Sequence, residues 1–163
     1  LTARLTDGAL MTLETFSSSH CALAAEIERM CFSEPWTGAG LSMFTREGGM
    51  GVACLEGGRL AAYACMTYVL DEGEIVTVAT HPDFRRRGLA RRTLARLCED
   101  AAARGILTLT LEVRESNAPA RALYAAESFR EVGRRRGFYA LPREDAIVMQ
   151  KTLGDQPAIT DRG

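Results

Sequence analysis

The sequence predicts one mixed α/β domain in which strands and amphipathic helices interleave. Three observations carry this. The chain has 163 residues, 47% of them hydrophobic, enough to bury one sizeable core and too few for two. Segments with a two-residue apolar period alternate along it with segments of helical period. A branched strand, Glu74 to Thr80, feeds an arginine- and glycine-bearing loop from which a long amphipathic helix leaves. The domain is expected to span 11–153, between an N-terminal extension, 1–10, that shows no clear period and a polar C-terminal tail, 154–163.

Met11 opens a short strand. Leu23, Ala24, Ile27 and Met30 then recur at helical spacing between Ser17–Ser19, which can cap, and Pro35, so a helix is predicted over Cys21–Cys31. A second short helix fits Leu41–Thr45, ended by Gly48 and Gly49. Residues 51–56 and 60–69 read as strands joined by the hairpin turn Glu56-Gly57-Gly58-Arg59, whose glycines supply positive φ. A second turn at Asp71-Glu72-Gly73 leads into the strand Glu74–Thr80, which stops at His81 because Pro82 keeps the preceding residue out of the helical region.

The next helix is predicted over Arg87–Arg104, with Ala90, Leu94, Leu97, Cys98 and Ala101 on one face and Gly105 as its C-terminal stop. Ile106–Arg114 alternates strictly: Leu107, Leu109, Leu111 and Val113 face one way and Glu112 the other. Asn117 and Pro119 supply helix-start chemistry for a short helix carrying Tyr124. Arg130–Gly133, Gly137–Leu141 and Ala146–Lys151 close the sheet as strands.

Composition narrows the function. A formal net charge of −1 gives no global pull toward nucleic acid or an anionic membrane, although arginines cluster at 85–92 and 134–136. The five cysteines form no C-x-x-C pair and lie in apolar surroundings, which predicts reduced core residues and neither a disulfide framework nor a zinc site. His20 and His81 are too isolated for a metal site. No stretch approaches the roughly 20 apolar residues that span a bilayer, and the chain opens on no signal-peptide pattern, so a cytoplasmic location is expected.

The run His81-Pro82-Asp83-Phe84-Arg85-Arg86-Arg87-Gly88-Leu89-Ala90 has the make-up of an anion cradle: positive charge, a glycine and unpaired N–H groups at a fresh helix N-terminus. Arg85-x-x-Gly88-x-Ala90 resembles the coenzyme-A-binding loop of the GCN5-related N-acetyltransferases. Further stretches extend the likeness along almost the whole chain: Pro35-Trp36-Thr37, Val76–Ala79, Leu111-Glu112-Val113-Arg114, Ser116-Asn117 with Ala122-Leu123-Tyr124, and Glu144–Met149. They are similar to the bacterial ribosomal-protein alanine N-acetyltransferases of the RimI type. One departure is Ser128, where the family usually has glycine and where a positive φ would cost about 1 kcal/mol.

The resemblance implies a central, mostly antiparallel twisted sheet with helices on both faces. It also implies acetyl-CoA as cosubstrate, with no metal, held by Val78, Ala79, Thr80, Arg85, Arg86, Arg87, Gly88, Leu89, Ala90, Arg91 and Asn117. Glu112 would be the general base, Tyr124 the general acid, and Trp36 and Tyr139 acceptor contacts. The acceptor would be a protein N-terminus, the alanine of a ribosomal protein.

These residue types suit the chemistry. A free α-amino group titrates near pKa ~8, so a modest base suffices, and a Glu112 carboxylate partly desolvated on its strand is expected to have a raised pKa. Backbone N–H groups near Val78 could meet a developing oxyanion, and the Tyr124 phenol could protonate a departing thiolate. Each residue also has a plainer reading: Arg85–Arg87 as a solvated basic face, Glu112 as a carboxylate paired with Arg114 or another arginine, and Tyr124 and Trp36 as core. The alternatives are a lysine, polyamine or other small amine as acceptor on the same scaffold, and a non-catalytic acyl-CoA sensor.

Overall fold

A computed structural model describes the backbone of residues 2–4 and residues 10–154; the predicted tail lies outside them but for Gly154. The strands are β1 (Thr2–Arg4), β2 (Leu10–Thr15), β3 (Gly49–Glu56), β4 (Arg59–Val69), β5 (Glu72–Thr80), β6 (Thr108–Arg114), β7 (Arg130–Ala140) and β8 (Arg143–Thr152). They form one sheet in the order β1-β2-β3-β4-β5-β6-β8-β7, antiparallel throughout except between β5 and β6. The α-helices are α1 (Cys21–Cys31), α2 (Gly38–Leu41), α3 (Leu89–Ala103) and α4 (Ala118–Ala126).

Helices cover both faces, as expected, because the inner strands alternate between two apolar clusters. On β4, Ala62, Ala64 and Met66 face a core that holds Leu94, Leu97 and Ala101 of α3 and Tyr124 of α4. Tyr63 and Cys65 point the other way, toward Ala24, Ala25 and Ile27 of α1. The cysteines are all free, and four of the five are buried. No helix among the described residues is long and apolar enough to cross a membrane.

Several expectations are corrected. Residues 1–10 show no period, yet Thr2–Arg4 pairs with β2; a three-residue edge strand is held by backbone bonds and has no length in which a period can show. The buried face of α1 is Cys21, Ala24, Ala25, Ile27 and Glu28, while Leu23 and Met30 are about half exposed. Gly73 is no turn residue: it sits inside β5 where a Cβ would come within 2.4 Å of Met66 Cε and 2.7 Å of Leu109 Cδ2. Leu70, at φ 55°, makes the positive-φ bend instead. Leu107 precedes β6 and is about half exposed. Arg134–Arg136 do not break the closing strand; β7 runs through them with register shifts, one beside Gly137 at φ 60°.

The feature that positions the site is a splay. β5 and β6 are paired only at Glu72–Glu74 with Thr108–Thr110. Beyond Glu74 the strands part, β6 remaining paired with β8 and β5 with β4. The sheet opens between the second half of β5 and the residues from Leu111 to Arg114.

Candidate active site

Two cavities meet in that opening. The first, about 510 Å³, runs from Val78–Thr80 along the loop containing Arg85, Arg86 and Gly88 to the first turn of α3 at Leu89–Arg91. The second, about 390 Å³, lies between Val76–Val78 on one side and Glu112–Arg114 on the other, with Glu28, Trp36 and Tyr139 on its walls. Val78, Asn117 and Tyr124 line both. A ligand threaded through the splay would therefore have its head at the junction and its tail at the arginine loop.

The loop is shaped by backbone conformation. Pro82–Phe84 forms a 3-10 turn, Arg86 has φ 65° and Gly88 φ 71°. Because Gly88 cannot be helical at that φ, α3 starts at Leu89, two residues later than its periodicity predicts. No side chain caps it at Gly88, so the first N–H groups of a 15-residue helix point at the cavity without an intrahelical acceptor. A Cβ on Gly88 would meet nothing within 4 Å. A positive, open cradle at a helix N-terminus fits the pyrophosphate of coenzyme A.

The arginines divide. Arg85 and Arg86 line the cavity, with Arg85 Nη2 3.6 Å from Cys31 Sγ. Arg91 lines it too while donating to Glu127 Oε1 at 2.8 Å. Arg87, expected among the coenzyme contacts, is absent from the lining: its Nη1 pairs with the buried Glu56 carboxylate, and its guanidinium lies over the Phe84 ring. It braces the loop from behind because a carboxylate buried at the β3–β4 hairpin draws the nearest cation. Asn117 Oδ1 caps α4, accepting from Ala120 N at 3.2 Å, so its amide nitrogen is the group left to face the cavities.

Glu112 projects from the sheet face opposite Leu111 and Val113, as its alternation predicts, and enters the second cavity. Its ion-pair partner is Arg135, whose Nη1 is 3.0 Å from Oε1. The carboxyl that burial pushes upward is the neighbouring Glu74, with the negative charge of Glu112 and a hydrogen bond to it adding to the shift. Arg114 is engaged elsewhere, donating to the carbonyls of Leu141 and Pro142 at 2.9 Å and lying 4.3 Å from the Tyr139 ring centre.

Tyr124 is 8% exposed and packs edge-on against Phe129 at 5.9 Å. Burial, then Tyr139, holds its phenol well above the usual tyrosine range, so it keeps its proton. Tyr139 is itself pushed up to about 12 by burial and by the charge of Glu112. Trp36 is half-buried: its ring meets Phe44 edge-on at 5.7 Å while the residue walls the second cavity. Trp36 thus packs against the core on one side and borders the cavity on the other.

Among the liners that sequence reasoning missed, two carry chemistry of note. Cys31 borders both cavities, and Glu28 reaches the second from the buried face of α1. The available signal for Glu28 was its spacing, four residues after Ala24 and three after Ala25, which places a carboxylate on the apolar side.

Known proteins resemble this chain in sequence and fold. Residues 21–129 match the family described as "Acetyltransferase (GNAT) family". The chain is 36% identical over 140 residues to the [ribosomal protein bS18]-alanine N-acetyltransferase of Escherichia coli strain K12, covering 85% of this chain and 95% of that protein. The corresponding enzyme of Salmonella typhimurium is 38% identical over the same shares. The crystal structure of the Escherichia coli ribosomal-protein-S18-alanine N-acetyltransferase superposes with a TM-score of 0.82 at 34% identity, covering 90% of this chain and 98% of that one. Ard1 from Thermoplasma volcanium, 20% identical, shares the fold with a TM-score of 0.81 over 89% of this chain and 99% of that one.

Proposed function

The chain belongs to the GNAT acetyltransferase family, and from that premise we propose that it acetylates the α-amino group of a protein N-terminus, the acceptor being the N-terminal alanine of a ribosomal protein. The observation that carries the proposal is that a carboxylate, Glu112, and a protonated phenol, Tyr124, line one cavity together with Val78, and that Val78 and Tyr124 also line the cavity leading to the arginine loop. Identity to enzymes named for that acceptor, over nearly their whole length, supports the choice of substrate. The reading puts the work of the protein in the cytoplasm.

Acetyl-CoA, the cosubstrate of this N-acetyltransferase, supplies the acetyl group as a thioester. The residues present suit it: the Arg86–Gly88 bend and the first turn of α3 receive the phosphates, and the splayed half of β5 has no β6 neighbour, so it can bond an extended chain lying along it. Glu112 Oε accepts a proton from the acceptor ammonium, leaving a nucleophilic amine. Backbone N–H groups of the open β5 edge near Val78 would donate to the developing oxyanion. Tyr124 Oη holds a proton at the junction for the leaving sulfur, which suppresses the reverse reaction. Arg135 pairs with Glu112 beside the cleft.

The test is mass-spectrometric. Incubated with acetyl-CoA, a peptide beginning with alanine should gain one acetyl group at its N-terminus, and the same peptide blocked at its N-terminus should gain none. Acetylation of the blocked peptide at a lysine would overturn the N-terminal reading.

A further inference from the structure

α1 carries a carboxylate into the interior. Glu28 is 1% exposed, and three neutral donors converge on it: Tyr63 Oη at 2.5 Å and Thr77 Oγ1 at 2.9 Å on Oε2, and the Trp36 backbone N–H at 3.1 Å on Oε1. Tyr63 Oη is also 3.3 Å from the Ala24 carbonyl. No lysine, arginine or histidine among the described residues pairs with Glu28. Burying a carboxylate without a cation is unfavourable unless strong hydrogen bonds hold it, and a methionine or leucine would fill the same space at no such penalty.

What distinguishes this carboxylate is the set of segments it joins. Tyr63 lies on the central strand β4, inside the core. Thr77 lies on β5 beyond its last pair with β6, where the strand has lost one neighbour. Trp36 belongs to the loop between α1 and α2. Thr77 and Trp36 stand on the walls of the second cavity, and Glu28 lines it with them. The splay that opens the cleft removes the β6 ladder from this half of β5 and leaves β4 as its one backbone neighbour; the Thr77 to Glu28 to Trp36 connection adds a tie on the side of the cleft.

We propose that Glu28 is a positioning residue for the acceptor: its carboxylate ties the Trp36 loop to the splayed half of β5 and so fixes the walls between which the acceptor amine approaches Glu112. This rests on the reading that the second cavity receives the acceptor. The arginine loop that receives the coenzyme's phosphates lies at the other end of the cleft, so a loss of Glu28 acts chiefly on the acceptor.

Trp36 is the only tryptophan in the chain, so intrinsic fluorescence reports its loop directly. In the full-length protein, Glu28→Gln is expected to shift the Trp36 emission to longer wavelength, to raise the KM for an alanine-initiated peptide roughly tenfold or more, and to leave the KM for acetyl-CoA within about twofold. Thr77→Val, which removes one hydroxyl and leaves the carboxylate, gives a second reading should Glu28→Gln fold poorly. It should raise the same KM, and Thr77→Ser should recover most of the loss. An unchanged acceptor KM in both Glu28→Gln and Thr77→Val overturns the proposal, as does an equal rise in both KM values, the mark of a merely structural residue. If the wild-type Trp36 emission fails to respond to the peptide at all, the acceptor reading of the cavity falls, and that outcome is distinct from the other two.

Discussion

Arg135 reaches from β7 across β8 to place its Nη1 3.0 Å from Glu112 Oε1 on β6. The pair is unequal in exposure: the Arg135 side chain is 57% exposed and that of Glu112 14%. Water can replace the arginine at its end of the bond, whereas the carboxylate stands at the largely buried end.

That asymmetry sets the first prediction. Glu112→Gln should lower kcat by roughly 10²–10⁴-fold, the range for losing a general base, while Arg135→Gln should lower it less than about fivefold, the worth of an exposed ion pair. Steady-state kinetics on both variants, with calorimetry showing acetyl-CoA affinity retained, checks this. An Arg135→Gln loss as large as that of Glu112→Gln would move the base elsewhere.

Tyr124→Phe should keep the edge-on packing against Phe129 and cost less than about 1 kcal/mol of stability, since only a hydroxyl at the rim is removed. Its kcat should nevertheless drop by about 10²-fold or more. Because burial holds the Tyr124 phenol above the usual tyrosine range, wild-type kcat should show no fall from its ionisation up to pH ~10. An unchanged kcat in Tyr124→Phe would remove Tyr124 from the acid role.

Neighbouring arginines should fail in different ways. Arg87→Ala strips the partner from a Glu56 side chain that is 6% exposed and should cost about 3–5 kcal/mol of stability in denaturant unfolding. Arg86→Ala touches a cavity-lining residue and should weaken acetyl-CoA binding severalfold with stability within about 0.5 kcal/mol. Swapped outcomes would place Arg87 in the cradle after all.

Ser128 sits at φ 69°, the left-handed region expected from its place at the end of α4. Ser128→Gly relieves about 1 kcal/mol of backbone strain and returns part of it as unfolded-state entropy, so a net gain of roughly 0.5 kcal/mol is expected in the unfolding midpoint.

Alkaline pH should destabilise the fold through buried groups that must stay protonated. Burial pushes the Cys54 thiol from 9.0 to about 11, a raised folded-state pKa. Its contribution is fully present below the unfolded value of 9.0 and is lost as pH climbs through about 11. Tyr139, raised from 10.0 to about 12, adds a loss one unit higher. Thermal melts should be flat to about pH 9 and then fall, and Cys54→Ala should flatten the part of the decline between 9 and 11.

Much of this was legible in the chain because it depends on local chemistry. The two-residue period over 108–114 put Glu112 on the face away from the leucines, Asn117 and Pro119 marked the start of α4, and the glycine pair at 57–58 fixed the first hairpin. Gly73 misled because a glycine needed for close approach and one needed for a turn look identical in sequence; only Met66 and Leu109 closing on its Cα tell them apart. Leu23 and Met30 misled because a helical period fixes relative phase and leaves open which arc meets the sheet.

Spacing along the chain thus determined the strand, loop and helix order, the face of Glu112, the short helix that carries Tyr124, and the arginine-bearing turn. Tertiary structure alone decided that Arg87 turns back to Glu56, that Arg135 and not Arg114 holds Glu112, and that Glu28 lies between Tyr63, Thr77 and Trp36. The reason is range. Backbone preferences and apolar periods act over a few residues, whereas the partner of a charged side chain is whichever opposite group or donor the packing of distant segments brings within about 3 Å.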